Sequence, residues 1–451
     1  MFSPKQSLPP KLSPSSKSGS LSQIDCMDRG LRSLAGAKHI IELIRSRRTV
    51  TKLILGHNLL SDDGCVLLFT FLSSSAGRKY PIAEINLNRN NIGNRGLAAI
   101  ATYLANNTTL HEIFLQDNVF TADPGTVAHF AYAINCSRLR LLSLTTNRLL
   151  SDDFVGLFFP ALCSQHLQEL HLSAIGLTRH AALYITDFIT SADRCRLHTF
   201  KCNGNDLAFR GVRSIVRAIE KANYSLTVVE MYANNMLSGG DSENTDDDDD
   251  DEAQNVSPEA WKGVEKLLKQ VLGRNTHLKK ETGREAVQLL VYSRTVLLRP
   301  KQPFNYSTST SSLTSGTGFA FRDLPMEIQL YILSFLSPIL STRQRVRIYT
   351  FASSSSTLPP LLPFLTNSGL PSRNAESAVF SMCVPDPSVS MGPTTAAPVW
   401  TFANGGGGCA PGKCMGTKSL LCHRELQRMA WLEQVGCLFY DPETALESTS
   451  S

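Results

Sequence analysis

Histidine, cysteine and the carboxylates are the side chains with which a chain most readily does chemistry, and here they do not converge. The ten histidines are scattered, and the chain holds no HExxH pair, no phosphate-binding glycine loop and no nucleophile elbow. His57 and His171 fall near strand-like segments, where a surface histidine suits contact or solvation. Near the C-terminus, Cys409, Cys414, Cys422, His423 and Cys437 raise the question of zinc, but their spacings form no CxxC pair, so the reading is free thiols and no metal. The 11 cysteines are odd in number and several, such as Cys65, Cys163 and Cys202, sit where small apolar residues belong, which argues for reduced thiols. No catalytic residue and no cofactor is expected.

The informative side chains are instead amides. "INLNRNNIG", residues 85 to 93, has four asparagines in nine positions, and its pattern recurs. "LILGHN", "INLNRN", "IFLQDN", "LSLTTN", "FKCNGN" and "VEMYAN" end at Asn58, Asn90, Asn118, Asn147, Asn205 and Asn234, with "LHLSAI" ending at Ile175 as a copy without the amide. The steps are 32, 28, 29, 28, 30 and 29 residues. An apolar residue follows two positions after each closing residue: Leu60, Ile92, Phe120, Leu149, Leu177, Leu207 and Met236. Alternation puts the aliphatic residues in a core and the intervening ones on the opposite face of a short strand. The closing asparagine, where the chain turns away, has an amide that can satisfy backbone groups of neighbouring repeats, and a row of them forms a structural ladder.

Between these strands, "NRGLAAIATYLAN" and "RGVRSIVRAIEKA" space their apolar residues three and four apart, which predicts helices with one buried face. The pattern LxLxxNxL at 28 to 29 residues resembles the leucine-rich repeat of the ribonuclease-inhibitor-like subclass. That resemblance implies an α/β solenoid, curved, with parallel strands on the concave face and helices on the convex face. Residues 1–20 are expected to be a disordered tail and residues 21–299 the capped repeat domain. "KHIIELIRS" is expected as its first helix, and an acidic loop insertion at 239–257 carries six aspartates, 246 to 251. Ser257 and Pro258 read as the N-cap and first residue of the resumed helix. Residues 300–318 read as a linker, 319–353 as a helical segment, and 354–451 as a Pro-, Gly- and Ser-rich region with a short C-terminal helix.

The segment "LPMEIQLYILSFL" resembles the F-box, which docks on the adaptor of cullin-RING ubiquitin ligases; on that resemblance Leu324, Pro325, Ile328, Ile332, Leu333 and Leu336 are the motif positions. The other reading is a helical hairpin that packs on the end of the solenoid with the same apolar face. The repeat subclass with an acidic stretch is also similar to the Ran GTPase-activating protein, for which Arg89 and Arg148, beside ladder asparagines, are the rim arginines to watch.

A net charge of +5 with 18% charged residues points to neither nucleic acid nor membrane. No apolar run approaches a membrane span, and the N-terminal residues lack the apolar centre of a signal peptide, so an intracellular protein, cytoplasmic or nuclear, is expected. The expected role is a scaffold binding a partner protein on its concave face. The expected contact residues are Glu84, Asn86, Asn88, Arg89, Glu112, Phe114, Gln116, Thr145, Glu169, His171, Lys201, Asn203, Glu230 and Tyr232, with Lys52, Ile54 and Ser143 also pointing outward. Glutamates at equivalent positions 84, 112 and 169 predict a basic partner, and Phe114 and Tyr232 are the expected anchors.

Overall fold

A computed structural model of the chain describes residues 22–234, 258–298, 324–358 and 420–442. The sequence expectations for residues 1–20, the acidic loop, the linker, Met236 and residues 359–419 lie outside these residues. The chain divides into two units, residues 1–269 and 270–451, and each is taken by itself.

The first unit is an open α/β solenoid. Eight three-residue strands, β1 (Gln23–Asp25), β2 (Lys52–Ile54), β3 (Glu84–Asn86), β4 (Glu112–Phe114), β5 (Leu141–Ser143), β6 (Glu169–His171), β7 (Thr199–Lys201) and β8 (Val228–Glu230), form one sheet in chain order. Every neighbouring pair is parallel. Helices α1 (Ser33–Arg45), α2 (Ser61–Ser73), α3 (Asn94–Leu104), α4 (Pro124–Asn135), α5 (Ser151–Ala161), α6 (Ala181–Thr190) and α7 (Ala208–Ala222) connect them. The core is built from repeated layers. In the third repeat Ile85, Leu87, Ile92, Leu97, Ile100 and Leu104 are all buried, each at the position its spacing assigns. Helices α4 to α6 add a phenylalanine stack: Phe154 and Phe158 have ring centroids 4.8 Å apart, and Phe159 and Phe188 lie 4.7 Å apart.

The asparagines do form a ladder. Asn118 Nδ2 donates to the carbonyls of Leu87 (3.1 Å) and Leu115 (3.0 Å), while its Oδ1 accepts the backbone N–H groups of Asn90 (3.2 Å) and Ile92 (3.1 Å). Asn147 bonds in the same way to Leu115 O and Asn118 N, Asn58 to Cys26 O and Leu31 N, Asn90 to Leu55 O, Asn205 to Leu172 O and Leu177 N, and Asn234 to Cys202 O. Each amide thus ties the turn of one repeat to the strand of the repeat before it. Directly before each ladder position stands a residue in the left-handed region, at Asp28, His57, Arg89, Asp117, Thr146, Ala174, Gly204 and Ala233, with φ from 53° to 66°. That conformation turns the chain out of the sheet so that the next side chain points inward.

Four details differ from the sequence reading. The first strand is hidden in the sequence because "IDCMDRGL" puts Arg29 at the ladder position; Ile24 and Cys26 are nonetheless buried as in the other repeats, Cys26 matching Cys202 of the seventh. In the fifth repeat the turn is one residue longer, so Leu150 fills the core and Leu149 stands 62% exposed. Cys163 is exposed rather than buried, because it follows the end of α5. Finally, α8 (Pro258–Leu297) is a single helix of 40 residues where the sequence suggested a helix and a cap.

In the second unit, the part of α8 from Gln270 packs with α9 (Met326–Ser334), α10 (Thr342–Ser353) and α11 (Leu420–Gln434). Leu289, Leu290, Leu333, Ile348, Trp431, Leu432 and Val435 form its core. Polar closures hold the joints: Glu285, 2% exposed, accepts the N–H of Ile339 at 2.9 Å, and Gln344, in a capping box with Ser341, donates to Phe439 O at 2.7 Å. Cys437 lies in this core, and burial pushes its thiol up to about 12, so it is a packed thiol. Cys409, Cys414 and the side chain of Cys422 lie outside the described residues. No group of metal-ligating side chains occurs among the described residues, nor any helix long and apolar enough to cross a membrane.

Candidate partner-binding face

The sheet face away from the helices is written by register. One row across it reads Gln23, Lys52, Glu84, Glu112, Leu141, Glu169, Thr199, Val228, and the next reads Asp25, Ile54, Asn86, Phe114, Ser143, His171, Lys201, Glu230. Glu84, Glu112 and Glu169 therefore share a row, but Leu141 stands between the second and third. Leu141 belongs to the face by the same alternation that placed Glu84, two positions before Ser143, and the sequence reading stopped short of it.

The charges are largely paired along the rows. Lys52 Nζ is bonded to Glu84, Lys201 Nζ lies 2.9 Å from Glu230 and His171 Nε2 lies 3.7 Å from Glu169. The hydrogen bond with Lys201 holds the Glu230 carboxyl below its usual range, and His171 does the same for Glu169. Glu112 goes the other way: burial, with the neighbouring Glu84 carboxylate, pushes its carboxyl up. Glu84, Glu112 and Glu169 are all half-buried.

Several amides expected to reach outward are occupied by one another. Asn88 Nδ2 donates to Gln116 Oε1 (2.6 Å), its Oδ1 accepts Gln116 N (2.9 Å), and Gln116 Nε2 donates to Ser143 Oγ (2.8 Å), which lies 3.4 Å from Thr145 Oγ1. Ser143 is consequently buried, not exposed as the alternation suggested. Asn86 accepts the N–H of Asn88 at 3.0 Å, and Asn203 bridges Glu230 (3.0 Å) and the N–H of Tyr232 (2.8 Å). This lattice ties the side chains of the face to one another. Over it Phe114 is half-buried and Tyr232 is 67% exposed.

On the rim, Arg89 is engaged by Asp117 at 3.3 Å, whereas Arg148 is exposed and borders a cleft of about 430 Å³ with Gly176, Thr178 and Asp206. The cleft lies at the repeat whose ladder residue is Ile175. There Gly176, at φ 85°, lies so close to the fifth repeat that an added Cβ would sit 2.7 Å from Arg148 O. Gly176→Val is expected to cost about 2–3 kcal/mol in urea denaturation, combining left-handed strain with a backbone clash. Gly204→Ala, whose Cβ would meet only Ala174 Cβ at 3.7 Å, is expected to cost about 1 kcal/mol.

The F-box-like residues are split between two environments. Leu333 is in the core of the second unit and Leu336 packs against it; Leu324 and Ile332 are half-buried; Pro325 and Ile328 are exposed, and Pro325 precedes α9 rather than lying in its first turn. Beside Ile328 (45% exposed) stand Tyr331 (63%) and Phe335 (66%), their two rings in edge contact at 5.0 Å.

No protein-family model matches the chain. Among curated proteins, the Rho GTPase-activating protein gacW of Dictyostelium discoideum is 24% identical over 176 residues, 38% of this chain and 15% of that protein. The chain thus matches less than a sixth of that relative's length. The structure itself shows a repeating strand–helix solenoid with an open sheet.

Proposed function

We propose that this protein is a non-catalytic interaction scaffold of the leucine-rich repeat type that holds a partner protein on its strand face. The observation that carries this reading is the hydrogen-bonded lattice of Asn88, Gln116, Ser143 and Thr145, which keeps the face rigid around Phe114, Glu112 and Glu169. A prearranged surface loses little entropy on binding, and a half-buried Glu112 favours a lysine or arginine from the partner. The exposed Ile328, Tyr331 and Phe335 on α9 support a second contact, with a ligase adaptor, which would make the scaffold a substrate receptor. Affinity purification of the full chain tests both parts. Reversing Glu84, Glu112 and Glu169 to arginine should remove the partner, and Ile328→Asp should remove an adaptor while the partner stays. Unchanged recovery after the triple reversal ends the strand-face reading.

A GTPase-activating role is the second reading, favoured by the name of the Dictyostelium relative and by exposed Arg148 at the rim cleft. Its test is GTP hydrolysis by a purified Rho- or Ran-type GTPase with the full chain added. A rise of tenfold or more, lost in Arg148→Ala, replaces the scaffold reading.

A further inference from the structure

The convex layer changes character along the solenoid. Of the five large apolar side chains exposed on α1 to α7, four lie on three consecutive helices: Tyr132 (59% exposed) on α4, Leu157 (38%) on α5, and Leu183 (72%) and Tyr184 (42%) on α6. Tyr184 reaches over Gly156 of α5, where an added Cβ would sit 3.2 Å from its ring, so the apolar surface runs on from α6 to α5. The same three helices carry no lysine or arginine. Their acidic residues are Asp152, Asp153 and Asp187; the first accepts from Thr178 and the third is held by Arg194 at 2.7 Å. On the next helix, α7, the character reverses, with Arg210, Arg213, Arg217 and Lys221 on "AFRGVRSIVRAIEKA".

We infer that the outer face of α4 to α6 is a self-association surface, covered in solution by the same face of a second copy. Three arguments select that occupant. A two-fold contact sets a patch against itself, so it must not repel its own copy; the unpaired charges here, Asp152 and Asp153, are confined to the first turn of α5, away from Leu157, while the arginine face of α7 would repel itself along its length. The absence of cations disfavours an anionic lipid surface or nucleic acid, both of which select lysine and arginine. Size fits as well. Helices of 10 to 12 residues at the usual spacing of 8–10 Å give a projected face of roughly 450 Å². That is of the same order as the ~800 Å² that each partner buries in a standard interface. In the two-fold arrangement the middle helix lies on the axis, Leu157 meets its own copy, and Tyr132 meets Leu183 and Tyr184.

Sedimentation equilibrium of the full chain, from about 1 to 100 μM, tests this. The expected result is a monomer–dimer equilibrium whose dissociation constant rises tenfold or more in Leu183→Lys and in Tyr132→Glu, with circular dichroism and melting unchanged because both side chains are exposed. A chain that stays monomeric at 100 μM overturns the inference, and so does a dimer that neither substitution weakens. The strand-face partner should be recovered equally by all three proteins, which separates this surface from the one proposed above.

Discussion

Asn118→Ala should lower the unfolding free energy by about 3–4 kcal/mol in urea denaturation at pH 7. The side chain is 7% exposed and serves five backbone groups at once, the carbonyls of Leu115 and Gln116 in its own repeat and the Leu87 carbonyl and the Asn90 and Ile92 N–H groups of the repeat before. Alanine removes the amide without supplying water, and each buried polar group left unpaired costs about 1–3 kcal/mol. Leu115 O retains Asn147 as a donor and Gln116 O retains the Arg89 N–H, so the total stays below the sum for five orphaned groups. Asn118→Asp is a sharper control: the carboxylate can still accept from Asn90 and Ile92 but cannot donate to Leu87, so it should cost at least as much as alanine at pH 7 and less at pH 3. Equal losses at the two pH values would mean that packing, not donation, is what the position requires.

The second large effect is expected from the phenylalanine stack. Phe158→Ala should destabilise by about 4 kcal/mol, the upper range for deleting a fully buried ring. Its ring has neighbours on three sides, Phe154 at 4.8 Å, Phe159 at 6.0 Å and Phe130 at 6.3 Å, and comes from the helix between two others. Collapse into the vacated space would need α4 and α6 to move together, which the strand pairing on either side opposes. Phe158→Leu should cost about half as much, because it retains most of the volume. Thermal unfolding followed by circular dichroism would rank the three proteins.

The repeat itself was legible because it is over-determined: Ile85, Leu87 and Ile92 each answer to strand alternation, and Asn90 answers to a separate need, that of the turn. Where one of the two signals fails, reading becomes uncertain. "IDCMDRGL" keeps the alternation but has an arginine for the amide, which hides β1; "TTNRLLS" keeps the amide but lengthens the turn, which puts Leu149 where the spacing expects the core residue that is in fact Leu150. The face was readable as a list of outward residues but not as a network. Alternation reports which side a side chain leaves from, and says nothing about whether Gln116 will spend its amide on Asn88 and Ser143 or offer it to a partner. Likewise the pattern of α9 marks Ile328 and Leu333 as equally apolar, and only the packing of α8, α10 and α11 decides which of them is left outside.

Ile175 interrupts the row of amides between Asn147 and Asn205, and the consequence is mechanical. In an array where each repeat touches only its neighbours, cohesion is set joint by joint. The joint between the fifth and sixth repeats keeps its strand pairing and its helix packing but has no side-chain amide to rivet the turns. Stretched from its ends, or breathing at rest, the array would part there first, into a five-repeat block that contains Asn58 to Asn147 and a three-repeat block that contains Asn205 and Asn234. The fault line runs beside Arg148, along the cleft at the rim.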